Sequence, residues 1–244
     1  MQFAGVTDIG RVRQTNEDSY CLEELGPGDT WLLAVADGLG GYQGGEVASR
    51  IAIQTIRGEV AQPPRPEPDL PWMRRLETAI GAAHARIALE AAAAGGDLAG
   101  MGTTLTAVVV EGIRVFWGHV GDSRAYVLRA GRLRLLTRDH SVTGQLVADG
   151  FLAEEAARRH PQRNLLTQAL GLPGDITVET GAAELEPGDW LILTTDGLTT
   201  VVGGEEIVRS ARRVERPLAL CERLVALANE RGGPDNITVL AARA

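Results

Sequence analysis

Five acidic motifs in this chain share one form, a carboxylate at the end of an apolar run or in a turn. They are Asn16-Glu17-Asp18, Asp37-Gly38, Gly121-Asp122-Ser123, Asp196-Gly197 and Pro234-Asp235-Asn236. Singly each is weak evidence, because Asp-Gly is a common turn dipeptide. Two of them, however, close apolar runs: Trp31–Ala36 runs into Asp37, and Trp190–Thr195 runs into Asp196. An ionised carboxylate at the end of a buried strand needs a compensating partner, and a glycine beside it lets backbone and ligand come close. Gathered without cations, such carboxylates would repel one another and raise one another's pKa. Hard divalent ions such as Mg2+ or Mn2+ would relieve that, because they prefer oxygen ligands. Two such ions about 3.5–4 Å apart can share a water and lower its pKa, which yields a nucleophile suited to a phosphoryl group. Asp37 is the expected centre of this site. Arg13, four residues before Glu17, adds a guanidinium of the kind that grips phosphate oxygens bidentately.

The elements that must position these residues follow from hydrophobic pattern. Strands are expected at residues 2–9, 20–22, 31–37, 103–110, 114–120, 124–129, 176–179, 190–195 and 237–241. Helices are expected at 45–60, 72–94, 205–213 and 217–230, the second ended by Gly95-Gly96. Short helices at 141–149 and 153–159, on either side of Gly150, outline a flap over about 141–171. Gly26-Pro27-Gly28-Asp29 reads as a turn and the Pro-rich stretch 62–71 as a surface loop. The strand runs between 103 and 129, with Glu111-Gly112 and Ala130-Gly131 as the expected turns, suggest an antiparallel meander. Long helices beside runs of antiparallel strands predict an α+β fold rather than βαβ alternation.

Composition narrows the classes. The 244 residues carry a net charge of −8 and are 44% hydrophobic, enough for a sizeable core and no advertisement for nucleic acid, whose binders usually carry a basic face. No linker divides the chain, so residues 1–244 are expected to form a single domain. Cys21 and Cys221 have neither a metal-ligand spacing nor a disulfide framework, and neither opens a Cys-x5-Arg loop. There is no basic-then-apolar leader at Met1–Gly5 and no apolar run of about 18 residues that could span a membrane. The expectation is a cytoplasmic monomer. His84, His119 and His140 show no metal-ligand spacing and are expected to be structural.

Taken in order, Arg13-x-x-Asn16-Glu17-Asp18, Asp37-Gly38-Leu39-Gly40-Gly41, Gly102-Thr103-Thr104, Val120-Gly121-Asp122-Ser123-Arg124, Asn164–Gly171, Thr195-Asp196-Gly197-Leu198 and Pro234-Asp235-Asn236 resemble the motifs of the bacterial protein phosphatase 2C-like (PPM) metal-dependent Ser/Thr protein phosphatases. The resemblance runs from about Thr7 to Val239. It implies an αββα sandwich, two antiparallel sheets face to face between helices, and a centre of two Mn2+ or Mg2+ ions. Asp37 would bridge both ions; Asp196 and Asp235 would complete one, and Glu17 and the Gly38 carbonyl the other. Asp18 would hold outer-shell waters, Arg13 would bind the substrate phosphate, and Asp122 would help hold a weaker third ion. The implied reaction is in-line hydrolysis of phosphoserine or phosphothreonine by a hydroxide bridging the two ions, with no phosphoenzyme. The implied partners are phosphorylated proteins, a bacterial Ser/Thr kinase and its targets among them. The chain departs from the pattern at Leu39, where eukaryotic members have His, so His160 in the flap becomes the candidate general acid. It departs again at Thr200, where some relatives carry an acid, which bears on the third ion.

Two other readings compete. Gly38-x-Gly40-Gly41-x-x-Gly44 follows a strand and precedes a helix, as a dinucleotide fingerprint does, yet Asp37 stands where pyrophosphate would pass. A catalytically silent phosphatase-like sensor would be marked by loss of a ligand carboxylate, and all five ligand positions are filled.

Overall fold

The computed structural model describes residues 1–26, 29–39, 44–61 and 72–244. Pro27 and Gly28 of the expected turn, Gly40-Gly41, and the Pro-rich stretch 62–71 lie outside the described residues.

Strand β3 (Thr30–Ala36) shows why the architecture is layered. Successive side chains of a strand point to opposite faces, and in β3 both faces are apolar. Leu32, Ala34 and Ala36 enter one buried cluster, while Leu33 and Val35 enter another. The same split divides Leu105, Ala107 and Val109 from Val108 and Val110 in β6 (Leu105–Glu111). In β11 (Trp190–Thr194) it divides Ile192 from Leu191 and Leu193. A strand buried on both sides must lie between two covering layers.

Those layers are two five-stranded antiparallel sheets. One has the order β10 (Glu179–Glu184), β7 (Arg114–Val120), β6, β3, β2 (Ser19–Glu24). The other has β1 (Gln2–Asp8), β12 (Ile237–Arg243), β11, β8 (Arg124–Arg129), β9 (Arg132–Leu135). A two-stranded ribbon joins β4 (Gly38–Leu39) to β5 (Gly102–Thr103). The cluster around Leu33, Val108, Val127, Leu191 and Leu240 lies between the sheets. Helices α1 (Gly44–Ala61) and α2 (Trp72–Ala94) cover the first sheet, and α6 (Gly204–Ala211) and α7 (Pro217–Glu230) cover the second. Three buried layers between four layers of secondary structure are the αββα sandwich. Truncating a central side chain such as Leu33, fully buried, would cost about 2–5 kcal/mol.

Several expectations are corrected by this topology. The strands between 103 and 129 do not form one meander: β6 and β7 pair with each other, but β8 pairs with β11 and β9 in the opposite sheet. Gly121-Asp122-Ser123 is therefore the point where the chain crosses between sheets, with Gly121 at φ +115°. The expected strand 103–110 is interrupted at Thr104, so β5 and β6 belong to different sheets. The expected strand at 176–179 is instead β10 at Glu179–Glu184. β9, the β4–β5 ribbon and the one-turn helix α5 (Asp196–Thr199) went unforeseen, being too short to carry a periodicity.

Two short helices lie on either side of Gly150 in the segment read as a flap. Helix α3 (Val142–Ala148) is capped by Ser141, whose hydroxyl accepts from the Gly144 N–H at 3.0 Å. After Gly150, at φ +75°, comes α4 (Glu154–Ala157). The two ends of the flap are fastened together by a bridge between Ser141 and Leu166 and by the Val142 N–H donating to the Leu165 carbonyl at 2.9 Å.

Candidate metal centre

All five acidic motifs arrive at one end of the sandwich, each delivered by a strand end. Asp37 follows β3 and is held through its own peptide: its N–H donates to the Thr104 hydroxyl at 3.0 Å, and its carbonyl accepts from the Thr103 hydroxyl at 2.8 Å and from the Thr104 N–H at 2.9 Å. The side chain thereby faces the site, where it is hydrogen-bonded to Asp196. At Gly38 a Cβ would collide with the Gly45 carbonyl and come 2.7 Å from that of Glu17. Only glycine lets helix α1 and the Glu17 loop close on this peptide.

Asp196 repeats the arrangement in the second sheet: β11 ends, and α5 begins on Asp196 itself. A Cβ on Gly197 would collide with the Asn236 carbonyl. Asn236 in turn binds the Glu17 loop. Its Oδ1 accepts from the Glu17 N–H at 2.8 Å, and its amide donates to the carbonyls of Ile9 and Thr15, both at 2.9 Å. Asp18 sits deepest. Its Oδ2 accepts from the Thr195 and Thr238 hydroxyls at 2.8 and 2.6 Å, while its Oδ1 is buried with no hydrogen-bond partner among the described residues. Arg13 donates to Asp235 Oδ2 at 2.7 Å.

Electrostatics show how closely these groups converge. Desolvation, then the negative charges of Asp18, Asp196, Asp122 and Asp235, push the Asp37 carboxyl well above its ordinary range. Asp122 is likewise raised well above its ordinary value by desolvation and then by Asp196 and Asp139. Burial pushes Asp18 up to about 7 against the opposing bonds from Thr238 and Thr195, and pushes Asp196 up to about 6 with Asp235 adding to it. Desolvation also raises Glu17, with Arg13 pulling the other way and Asp235 and Glu46 pushing up. Desolvation and the neighbouring carboxylates disfavour the charged form and outweigh the hydroxyl bonds and Arg13. The donor set fits hard divalent ions: the carboxylates lie close enough to raise one another's pKa, and Asp18 Oδ1 is buried without a partner among the described residues.

The expected residues do not all meet. Glu17, Asp18, Asp37, Asp122, Asp196, Asp235 and Arg13 are linked by these contacts and charges. His160 lies in the flap, where its Nδ1 accepts from the Gln162 N–H at 3.2 Å. It does not line the cavity of about 260 Å³ that opens beside Asp122 and Asp196 beneath α3 and α4. Thr200 does line that cavity. The residues that fix the carboxylates, namely Thr103, Thr104, Ser123, Thr195, Asn236 and Thr238, were given no role from sequence. The signal available was their position, next to or opposite each acidic motif. His119, His140 and Glu179 also bring three ligand-type atoms within 4.8 Å of one another. Their hydrogen bonds assign them a different task.

A family model for protein phosphatase 2C matches residues 11–230. The chain belongs to the protein phosphatase 2C family. It is 37% identical over 242 residues to the serine/threonine protein phosphatase PstP of Mycobacterium tuberculosis, covering 99% of this chain but 45% of that relative's length. It is 37% identical to the serine/threonine phosphatase stp of Listeria monocytogenes, covering 96% of this chain and 92% of the relative. Among solved structures, the catalytic domain of PstP in complex with two manganese ions superposes with a TM-score of 0.85 at 34% identity, covering 99% of this chain and 97% of that one. The sandwich and the resemblance read from sequence are thus those of protein phosphatase 2C. Among the described residues no helix is long and apolar enough to cross a membrane.

Proposed function

We propose that this chain is a metal-dependent protein serine/threonine phosphatase that hydrolyses phosphoserine and phosphothreonine monoesters on proteins. The observation that carries the proposal is the convergence of four aspartates on Asp37 with an arginine at their edge. A carboxylate cluster alone would repel a phosphate. Two divalent ions held there would neutralise it and supply an acidified water. Asp37 is assigned to both ions, Asp196 and Asp235 to one, and Glu17 with the Gly38 carbonyl to the other. Asp122 is the candidate for a third ion, and Asp18 orients waters through its unpartnered Oδ1.

Arg13 takes the substrate phosphate. It already donates to one carboxylate oxygen, Asp235 Oδ2, at 2.7 Å, and a phosphate dianion offers acceptor oxygens with more charge. Positioning and charge neutralisation then supply most of the acceleration. His160 remains the candidate proton donor to the leaving alkoxide, reached by movement of the flap.

The pairing of β1 with β12 supports reading residues 1–244 as one catalytic domain. The free, buried thiols of Cys21 and Cys221 fit a reducing, cytoplasmic setting. The physiological partners in this reading are a Ser/Thr kinase and its targets, and the chain acts as a monomer. The test is hydrolysis of a phosphothreonine peptide by chelator-stripped protein, with and without Mn2+. Turnover that appears only with Mn2+ is expected. A folded protein inactive with both Mn2+ and Mg2+ would instead favour a silent, partner-binding phosphatase fold.

A further inference from the structure

The crossing turn that carries Asp122 is gripped from both sides by polar groups, Thr104 fully buried and His140 nearly so. On one side is Thr104, whose hydroxyl shares a hydrogen bond with the Ser123 hydroxyl at 2.8 Å and also accepts from the Asp37 N–H. A Cβ on Gly121 would press on the Thr104 side chain at 2.6 Å, so the turn and Thr104 are in direct contact. On the other side is His140. Its N–H donates to the Gly121 carbonyl at 2.7 Å, and its Nδ1 accepts from the Gly121 N–H at 3.3 Å. His140 thus clasps both polar atoms of the residue before Asp122. Its own carbonyl accepts from the Thr167 N–H at 2.8 Å, where the flap returns to the sandwich, and its neighbour Ser141 caps α3 where the flap leaves. One residue therefore ties the Asp122 turn to both ends of the flap.

The protons can be placed. Since His140 Nδ1 accepts, Nε2 carries the hydrogen and faces Glu179 Oε2 at 3.7 Å. That carboxylate oxygen is fixed by the Arg138 N–H at 2.9 Å. The adjacent ring, His119, is fully buried. Its Nε2 meets the Arg138 carbonyl at 3.1 Å and its Nδ1 meets the Thr106 hydroxyl at 2.8 Å. With Nε2 protonated in both rings, a metal ion between His119, His140 and Glu179 would find N–H groups rather than lone pairs. The group is a hydrogen-bonded tie, and an acceptor at His140 Nδ1 is what it presents to the Asp122 turn.

We propose that His140, oriented by Glu179, is a positioning residue that sets the Asp122 turn against Asp37 and fastens the flap beside it, so that it acts on metal binding and turnover without touching substrate. This role rests on the phosphatase reading. Outer-shell partners of metal sites change affinity or activity by about 10–100-fold when removed, and the same scale is expected here. His140→Ala should raise the Mn2+ concentration for half-maximal turnover about tenfold. His140→Asn, whose amide oxygen can replace Nδ1 as acceptor for Gly121, should return it to within about threefold of wild type. In an Asp122→Ala background, His140→Ala should add less than about threefold, because the two act on one turn.

The measurement is Mn2+-dependent hydrolysis of a phosphothreonine peptide by the full chain, with the unfolding midpoint of each metal-free variant alongside. Wild-type turnover is established first; its absence would overturn the phosphatase reading and this role with it, whereas the outcomes below, with active wild type, bear on this role alone. With active wild type, Mn2+ half-saturation unchanged in His140→Ala overturns the positioning role. So does a His140→Asn variant no better than His140→Ala at equal unfolding midpoint, or full additivity with Asp122→Ala. If His140→Ala fails to fold, Glu179→Gln keeps the Arg138 acceptor but removes the negative charge facing Nε2. A change in its Mn2+ half-saturation then supports the proposal, and none overturns it.

Discussion

The two sheets end in the same short sequence and put it to different use. In the first, β3 runs into Asp37-Gly38; in the second, β11 runs into Asp196-Gly197. Both glycines are required by a carbonyl that comes too close for a Cβ, that of Gly45 in one case and of Asn236 in the other. Beyond the aspartates the two paths diverge. After Asp37 the chain stays extended in β4 and pairs with β5, so the Asp37 peptide is held on both sides by Thr103 and Thr104. After Asp196 it turns at once into α5, whose first turn contains the aspartate itself. Asp37 is pushed well above the ordinary range with four other aspartates adding to its burial, while Asp196 reaches only about 6, with Asp37 bonded to it as a relieving partner. Local sequence makes each strand end in a carboxylate; which one becomes the hub depends on the neighbours that the other sheet delivers.

The sharpest way to break this comparison is to neutralise each aspartate in turn. Asp37→Asn should lower turnover by at least about a thousandfold while the protein stays folded, since charge stabilisation by metal is worth several kcal/mol and each 1.36 kcal/mol is tenfold. Asp196→Asn should cost less, on the order of a hundredfold, with part of the loss recovered by excess Mn2+. Rates measured across a Mn2+ titration separate the two. Equal losses that Mn2+ does not rescue in either variant would remove the distinction between hub and flank.

The two glycines give a stability counterpart. Gly197→Ala forces the Asn236 carbonyl away and loosens the Glu17 loop that Asn236 binds; overpacking of this kind costs about 1–3 kcal/mol. The drop should appear in urea unfolding of the metal-free protein, together with weaker Mn2+ binding. A Gly197→Ala variant as stable as wild type would mean that the Asn236 segment yields freely and is not what holds Glu17 in place.

The layers and the acidic motifs that gather at one end of them could be read from the chain because both depend on local pattern. β3, β7, β8 and β11 are apolar runs with clear ends, and α2 and α7 keep the bounds that their caps and Pro217 set. Partnership between strands is a different kind of information. Nothing in Arg114–Arg129 says that β7 and β8 belong to opposite sheets; the reason lies in Thr104, Ser123 and His140 gripping the turn between them. For the same reason the acidic motifs were legible and their supports were not. Asp beside Gly is a sequence signal, whereas Thr195 and Thr238 reaching Asp18 across 177 and 220 residues is visible only after folding. His160 stood out as a histidine in a flap, but its placement outside the cavity lining depends on how α4 lies.

Arg13 tests the edge of the cluster rather than its centre. Its side chain is about half exposed and paired with Asp235, so Arg13→Ala should leave the fold intact. A charge-assisted hydrogen bond contributes about 1.5–3 kcal/mol, which corresponds to a KM for a phosphopeptide roughly 10–100-fold higher. An unchanged KM, measured at saturating Mn2+, would mean that Arg13 serves Asp235 and not the substrate.

The smallest effect expected is also the one that reports on the whole cluster. Burial raises Asp18 to about 7 and Asp196 to about 6, from ordinary values near 3.8. Between about pH 4 and pH 7 the unfolded chain has released these protons while the folded, metal-free protein still holds them. The folded state binds more protons across that window, so its stability is greatest on the acid side and falls as pH rises through the folded values. Metal binding takes the place of those protons. Mn2+ should therefore raise the unfolding temperature little at pH 5 and clearly more at pH 7.5, with metal-free protein less stable at the higher pH. Asp37→Asn should flatten this pH dependence more than Asp196→Asn, because Asp37 feels the larger number of like charges. A Mn2+ gain of the same size at both pH values would show that the carboxylates release no protons to the metal, and the contrast between the two strand ends would then be one of geometry alone.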